Sequence, residues 1–409
     1  MSDDAKAILL LCGRLGKETD SKPLQPSEYN RLVRWLVQAN LRPADLLSPE
    51  NVKPAAMGSE LPEARLAALL KRGVQLGFAV ETWNRSNIWV ICRSDPDYPA
   101  RYRNHLKEQA PPILFGVGER SLLKGGGMAI VGSRNIDEEA ERFTETAAAW
   151  CARGGLPVVS GGARGVDQIA MKGALDAGGC VVGVLAENLL KNSVAREARK
   201  AISDGTLLLI SPYHPEARFT VGTAMARNKL IYAMADYGLV VSSDHKKGGT
   251  WAGAAEELKR KTGRPVFVRM TGSVPVGNPQ LIKLGAVTFP EMSEASPETS
   301  LRKALERKPK QKAEEMELAL FDEPAVVREK ALSEDKGTYG TSQKLEQKSS
   351  PIYEAVLPVL QHALEKPATV DELTKTLDVA KGQLQIWLKQ AVRDQKIKKL
   401  NKPVRYVRK

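Results

Sequence analysis

The chain has 409 residues, which is too many for one ordinary hydrophobic core, so we expect two to four domains. Hydrophobic residues make up 42% of it, and no run of about 18 apolar residues occurs, which argues against a transmembrane helix. Lysine and arginine number 61 against 48 acidic residues, and the net charge of +13 indicates a polyanionic partner, with a solvated basic surface as the alternative.

The cysteines stand singly along the chain, which argues against a structural zinc site and is typical of a reducing compartment. They are Cys12, Cys92, Cys151 and Cys180. The apolar run at residues 7–12 is too short for the core of a signal peptide. The sequence therefore predicts a cytoplasmic protein with no membrane segment, metal or cofactor.

The first 90 residues are predicted to form a helical domain. Apolar residues recur there at helical spacing, from Tyr29 to Val37 and again from Leu66 to Val74. Between residues 91 and 116 several prolines, among them Pro96, Pro99 and Pro111, force extended or turn conformations.

From about residue 128 to residue 290 apolar β-branched runs alternate with helical segments, which is typical of a parallel sheet covered on both faces. The domain that contains this sheet is predicted at residues 91–290. Strands are predicted at 128–131, 157–159, 181–185, 207–210, 239–241 and 266–268. The clearest helices are predicted at 138–153, 168–177 and 253–261. This pattern predicts a Rossmann-like domain.

Residues 291–350 are rich in Glu, Lys, Ser and Pro and are predicted to form a charged, mostly disordered linker. A small apolar island lies within it and is either a weak docking element or a chance cluster. Its members are Met316, Leu318, Leu320 and Phe321.

Residues 351–409 are predicted to form three helices followed by a β-hairpin. Thr369 is the predicted N-cap of the second helix, with Glu372 three residues later. Leu384, Trp387 and Leu388 mark the inner face of the third helix. This order is typical of a winged helix. The predicted fold class is thus α/β, an extended Rossmann-like parallel sheet with a helical N-terminal domain and a C-terminal winged helix.

Two turns at strand ends combine glycine, serine and arginine. The first has the sequence IVGSRN at 130–135, in which Gly132 permits close backbone approach while Ser133 and Arg134 can donate to a phosphate. The second has the sequence VSGGARGVD at 159–167. Its predicted phosphate-binding residues are Ser160, Gly161, Gly162 and Arg164, with Asp167 capping the next helix or anchoring the loop. The alternative is that the glycines merely allow tight packing.

Two further segments carry lysine or arginine at predicted ligand positions. Arg227 and Lys229 are predicted at a helix start, where positive charge is unfavourable without a ligand; solvated surface charge is the alternative. A third strand-end turn is predicted from Lys246, Lys247, Gly248, Gly249 and Thr250. Trp251, which follows it, either stacks on a base or packs in the core.

Catalysis is poorly supported by the sequence. His214 and His245 have no obvious Ser or Cys partner, and no pair of carboxylates has suitable spacing. We therefore predict that the protein is not an enzyme.

Taken together, these turns resemble the DNA-processing protein A family, also called DprA or Smf. The resemblance spans about residues 94–286 and rests on the phrases at 130–134, 160–167, 227–231 and 263–267, preceded by those at 97–99 and 111–116. The order and spacing of the turns make it specific.

The resemblance implies binding of single-stranded DNA above the sheet, loading of a RecA-type recombinase during uptake and recombination, and a homodimer. It implies that Ser133 and Arg134 contact one backbone phosphate. Residues 160–164 would form the central cradle, and Arg227 and Lys229 would follow the next phosphates.

The sequence departs from the family pattern at two phrases, which indicates a divergent branch. One is KGGTW at 247–251, where the family has Ser-Gly-Ser or Ser-Gly-Ala, and the other is QIAM at 168–171. A nucleotide sensor that signals through the winged helix therefore stays open as an alternative. A phosphoribohydrolase is a second alternative, but Gly253 stands where such enzymes place a glutamate.

Lysines and arginines crowd the end of the chain from Lys381 onward. A third helix and wing of this charge can contact duplex DNA. Contact with a protein, self-association and a plain solvated surface are the alternatives.

Overall fold

The computed structural model describes residues 1–16, 22–260, 262–292, 351–365, 367–377, 381–400 and 405–408. They belong to two compact units, divided between Pro324 and Ala325. Nearly all of the predicted linker, including its apolar island, lies outside the described residues. The predicted domain boundaries at 90, 290 and 350 stay predictions.

The chain begins with a layer of five helices: α1 (Asp3–Cys12), α2 (Pro26–Gln38), α3 (Val52–Ser59), α4 (Glu63–Leu70) and α5 (Gly73–Arg85). Short 3-10 helices at Pro43–Leu47 and Pro49–Asn51 join α2 to α3. The helical character predicted for this region is confirmed.

Nine strands of the first unit form one sheet. They are β1 (Trp89–Cys92), β2 (Ile113–Val117), β3 (Met128–Gly132), β4 (Val158–Ser160), β5 (Val181–Val184), β6 (Leu207–Ser211), β7 (Tyr237–Ser242), β8 (Val266–Val268) and β9 (Val287–Thr288). Their order is β1-β2-β6-β5-β4-β3-β7-β8-β9. The seven strands from β6 to β9 in this order are parallel, and β1 and β2 extend the β6 edge with antiparallel pairing.

Helices α6 to α13 connect the strands. They are α6 (Ala100–Leu106), α7 (Glu138–Arg153), α8 (Val166–Asp176), α9 (Leu189–Ser193), α10 (Arg196–Ser203), α11 (Val221–Met234), α12 (Gly248–Leu258) and α13 (Gly277–Lys283). Short 3-10 helices also occur at Lys107–Gln109 and Arg120–Leu123. The predicted parallel α/β sheet is confirmed.

Apolar residues alternate between the two faces of the sheet, because successive side chains of a strand point to opposite sides. Met128 and Ile130 pack into a core that also holds α7, α8 and the N-terminal helices. Ala129 and Val131, on the other face, pack with α11 and its neighbours. The N-terminal helices therefore share a core with one face of the sheet.

Two helices begin earlier than the sequence suggested. Helix α11 starts at Val221, where the Thr220 hydroxyl accepts a hydrogen bond from the backbone of Thr223, so a predicted start near residue 227 was wrong. Helix α12 starts at Gly248 and not at Gly253. Its two initial glycines have poor helix propensity, which is why a turn was predicted there.

The second unit contains helices α14 (Pro351–Ala363), α15 (Val370–Leu377) and α16 (Lys381–Arg393) and the antiparallel hairpin β10 (Ile397–Leu400) and β11 (Arg405–Arg408). It has its own apolar core, which includes Leu373, Leu384 and Leu388. The predicted capping pair is confirmed, since Thr369 and Glu372 exchange hydrogen bonds between side chain and backbone. The assignment of this unit as a winged helix stays a prediction.

Among the described residues, no helix combines the length and the apolar character needed to cross a bilayer.

Candidate functional site

The strand order reverses between β3 and β7. From β3 the chain continues to β4 on one side, whereas β7 leads to β8 on the other. Loops leaving such neighbouring strands diverge and open a crevice, which is where ligands bind in open parallel sheets. A cavity of about 540 Å³ lies at this position and is lined by Gly132, Ser133, Arg134 and Thr250, among others.

Hydroxyl groups tie the walls of this first cavity together. The Ser133 hydroxyl donates to the carbonyl of Ser242 over 3.3 Å, and the Thr250 hydroxyl donates to the carbonyl of Gly132 over 3.1 Å. A Cβ atom at Gly132 would lie 2.4 Å from the Val166 side chain. Glycine therefore allows the start of α8 to approach the end of β3.

The loop after β4 lines a second cavity, of about 520 Å³, through Gly161, Gly162 and Arg164. Gly162 adopts a φ of +69°, which favours glycine. Arg164 donates a hydrogen bond to the side chain of Asn135, and this contact joins the loops that follow β3 and β4. Ser160 differs from the others: its hydroxyl is buried and donates to the carbonyl of Ile130 over 2.7 Å, so it fastens β4 to β3.

Arg227 lies in the interior of α11 and lines both cavities. Only 4% of it is exposed, and its Nη1 atom is 3.6 Å from a carboxylate oxygen of Asp167. Burial raises the pKa of the Asp167 carboxyl, although the charge of Arg227 opposes that shift. Burial also lowers the pKa of the Arg227 guanidinium. The two groups form a buried pair beneath the loops that follow β3 and β4.

Arg134 is exposed above this pair and stacks on Phe219. Its Cζ atom lies 4.8 Å from the centre of the ring, a cation–π contact. Both residues line both cavities. The stacked pair thus lies where the two cavities adjoin.

Helix α12 points its N-terminus toward the first cavity, which Lys247, Gly248, Gly249 and Thr250 help to line. Its N-cap is Lys247, whose side chain caps no backbone group, and its first turn contains no acidic residue. The partial positive charge of this helix end is therefore left uncompensated by the helix itself.

Two of the predicted residues lie apart from the cavities. Lys229 extends toward Gln109, with Nζ 3.4 Å from the side-chain oxygen, and Lys246 is exposed. Neither lines the two cavities described above. Trp251 is half-buried against the core, and its ring lies 4.9 Å from that of His245 in an edge-on contact.

Sequence reasoning missed the apolar wall of the first cavity. Phe219, Val221 and Met225 are 38%, 67% and 48% exposed and lie on the segment that leads into α11 and on its first turns. Their position after a strand end, in a Rossmann-like sheet, was the available signal.

The described part of the chain contains side chains of the types that ligate metals, and the surroundings of His214 are defined. No group of three or more His, Cys, Asp or Glu side chains there is arranged to hold a metal ion. His214 is partly buried, which lowers the pKa of its ring, and its Nδ1 accepts a hydrogen bond from the backbone of Glu216.

The model of the family described as DNA recombination-mediator protein A matches residues 89–299, which is more than half of the chain. The chain belongs to this family. The match includes all nine strands of the sheet and every residue predicted to hold phosphate. The family resemblance predicted from the sequence is confirmed.

Relatives of known name agree with membership in the DNA recombination-mediator protein A family. Protein Smf of Escherichia coli K12 is 31% identical over 192 residues, covering 45% of this chain and 50% of Smf. DNA processing protein DprA of Bacillus subtilis 168 is 29% identical over 217 residues, covering 49% of this chain and 68% of that protein. The chain therefore spans about half the length of Smf.

Among solved structures, DprA of Streptococcus pneumoniae superposes with a TM-score of 0.56 at 20% identity, covering 74% of this chain and 98% of that one. This likeness shows a shared fold. The family's fold thus extends beyond the sheet in this chain.

Proposed function

We propose that this protein binds single-stranded DNA in DNA processing and recombination and catalyses no reaction on it. The proposal rests chiefly on one observation: two cavities adjoin at the carboxyl ends of the strands, and Arg134 and Arg227 line both of them. Phosphates of a nucleic-acid backbone are the ligands that such arginines suit.

The composition of the cavities supports a single strand in preference to a duplex. Phe219 offers a partly exposed ring beside the cations, and bases of a single strand can stack on aromatic side chains whatever their sequence. Lys247, Arg134 and Arg164 are exposed around the openings, where they would neutralise the phosphates. A base that displaces Arg134 from the ring would free the guanidinium for a phosphate.

The test is fluorescence anisotropy of a labelled single-stranded 30-mer over a series of salt concentrations. Each phosphate neutralised on a single strand contributes about −0.7 to the log–log slope, so a site for three or four phosphates gives roughly −2 to −3. Arg134→Ala should weaken binding and flatten the slope by about 0.7.

Arg142→Ala is the matched control, because Arg142 is 71% exposed on α7 and lines neither cavity. It should leave affinity within about twofold, as expected for an exposed charge away from the site. The proposal fails if the wild type does not bind at low salt. It also fails if Arg134→Ala binds normally while deletion of residues 351–409 abolishes binding.

We further propose that the protein acts in the cytoplasm as a homodimer, with a RecA-type recombinase as partner. The description of the family as a recombination mediator supports this partner. The four cysteines are free, as is typical of a reducing compartment. Co-sedimentation with recombinase filaments, with and without single-stranded DNA, tests the partner, and light scattering tests the dimer. Contact of the C-terminal unit with duplex DNA or a protein is a separate proposal.

The phosphoribohydrolase alternative gains no support from the first cavity. Asp167 and Asp244 are its only acidic lining residues, and Asp167 is already paired with Arg227. Glu256, further along α12, pairs with Arg260 at 2.7 Å. Release of free base from nucleoside monophosphates would be needed to revive this alternative.

A further inference from the structure

Arg227 retains hydrogen-bonding capacity that its surroundings leave unused. Its Nε and Nη1 atoms are buried and have no hydrogen-bond acceptor among the described residues, since Asp167 at 3.6 Å is too far for one. A buried donor without an acceptor costs free energy, and more so when it is charged. Two such donors on one guanidinium, at the boundary of a cavity, suit an anionic ligand.

The backbone has been shaped to leave room for this guanidinium. A Cβ atom at Gly161 would lie 1.3 Å from Nη1 of Arg227, so no other residue at 161 is compatible with its position. Gly161 itself lines the second cavity together with Arg227. The guanidinium is thus held against the loop that follows β4.

A boundary separates the first cavity from the second. The residues lining both are Arg134, Ala163, Phe219 and Arg227. A continuous strand that passes from one cavity to the other runs past the contact between Arg134 and Phe219. A group at the end of a chain can enter the first cavity without disturbing that contact.

Helix α12 lines the first cavity with its N-terminal turn. The backbone N–H groups of its first turn carry no side-chain cap, and Lys247 adds a positive charge at the opening. Among the described residues, three cationic side chains line this cavity, Arg134, Arg227 and Lys247. Two acidic side chains also line it, Asp167 and Asp244.

We propose that the first cavity binds a terminal phosphate monoester of a nucleotide, with the nucleoside against Phe219 and Met225. A monoester presents three terminal oxygens and a charge between about −1.5 and −2 near pH 7, which suits several donors converging from different elements. A volume of about 540 Å³ lies within the range of small-molecule sites. This phosphate monoester belongs either to a phosphorylated end of single-stranded DNA or to a free nucleoside monophosphate. Binding of a DNA end would extend the proposed function and rests on it.

The experiment compares matched ligands on the full-length protein. By calorimetry, thymidine 5′-monophosphate should bind and thymidine should not. By anisotropy competition, a 12-mer with a 5′- or 3′-phosphate should bind at least tenfold more tightly than the same 12-mer with hydroxyl ends. Competition between the mononucleotide and the phosphorylated 12-mer identifies a shared site.

Lys247→Glu and Lys246→Glu form a pair of variants with equal change of charge. Both lysines are exposed, but Lys247 alone of the two lines the first cavity. Lys247→Glu should weaken the monophosphate at least fivefold, and Lys246→Glu less than twofold. Arg227→Gln should abolish the preference for phosphate, and these exposed lysine variants keep the test valid if that buried change prevents folding.

Failure of this inference differs from failure of the proposed function. If the 12-mers bind equally with and without terminal phosphate and the mononucleotide does not bind, the inference is overturned while DNA binding stands. If the mononucleotide binds and no oligonucleotide does, the cavity is a site for free nucleotides, and the proposed DNA-binding function is wrong.

Discussion

Gly161 is a position where a single added carbon has a predictable effect. In Gly161→Ala the new Cβ would overlap Nη1 of Arg227 at 1.3 Å, so the guanidinium has to move away from the cavities. We expect the variant to lose at least tenfold in affinity for single-stranded DNA and about 1–3 kcal/mol in free energy of unfolding. Anisotropy and urea unfolding measure the two effects.

Gly77→Ala serves as its control. Gly77 lies in the interior of α5, and a Cβ there would meet nothing within 4 Å. Alanine is the better helix former, so this variant should gain about 0.5–1 kcal/mol in unfolding free energy and bind DNA normally. A loss of stability in Gly77→Ala comparable to that of Gly161→Ala would contradict the steric explanation.

The sequence predicted the glycines, Ser133 and Arg134 at the cavities because small and cationic residues at strand ends have few other uses. It did not separate Lys229 and Lys246 from the rest, since a lysine beside a motif has the same local signature whether or not it faces the ligand. Phe219 was not predicted because nothing in its local sequence distinguishes it. Its role depends on Arg134, which is distant in sequence and meets it only in the folded chain.

Among the elements, α2 and α4 are held together by a pH-sensitive contact. Glu28 accepts hydrogen bonds from Nη1 and Nη2 of Arg65 at 2.7 and 3.0 Å, and these bonds lower the pKa of Glu28. The contact therefore contributes stability above the ordinary value of about 4.5, and that contribution is lost as pH falls through the lowered pKa. Glu28→Gln should cost about 1 kcal/mol at pH 7, since the pair is partly solvated.

Thermal unfolding of wild type and Glu28→Gln at several pH values measures this difference, which should shrink as pH falls below 4.5. Glu81→Gln is the control, because Glu81 and Arg85 form an exposed pair within α5 that is worth about 0.3 kcal/mol. A Glu28→Gln effect that does not change with pH would show that packing and not charge joins the two helices.

Element boundaries were harder to predict than element types. Helix α7 is found at its predicted bounds, Glu138–Arg153, because Asp137 caps it and Gly154 follows it. The start of α12 could not be predicted from propensity, since two glycines open it. Tertiary contacts fix it instead: Asn228 of α11 donates to the carbonyl of Gly249 over 2.9 Å.

At the scale of the whole molecule, the number of independent cores decides how the chain unfolds. Leu9 of α1 and Leu209 of β6 belong to the same apolar cluster, whereas Leu388 of α16 belongs to another. We expect Leu9→Ala and Leu209→Ala to lower the midpoint temperature of the same calorimetric transition, because each should cost about 2–5 kcal/mol in free energy of unfolding. Leu388→Ala should lower the midpoint temperature of a different transition.

Scanning calorimetry of the three variants also tests the predicted boundary near residue 90. If Leu9→Ala shifts a transition that Leu209→Ala leaves unchanged, the N-terminal helices form a core of their own. The sequence pattern alone could not decide this. Helical periodicity shows which face of a helix is buried, but it does not identify the element against which that face packs.

The pairing of β2 with β6 has a consequence for synthesis on the ribosome. All five residues of β2 are buried in the finished sheet, but the strand that pairs with residues 115–117 begins only at Leu207, after residues 118–206 have been made. At about 5–20 residues per second, translation of that interval takes roughly 4–18 seconds. During this time Phe115, Gly116 and Val117 lack the strand with which they pair. A nascent chain halted in this interval would be a substrate for chaperones that hold exposed apolar strands.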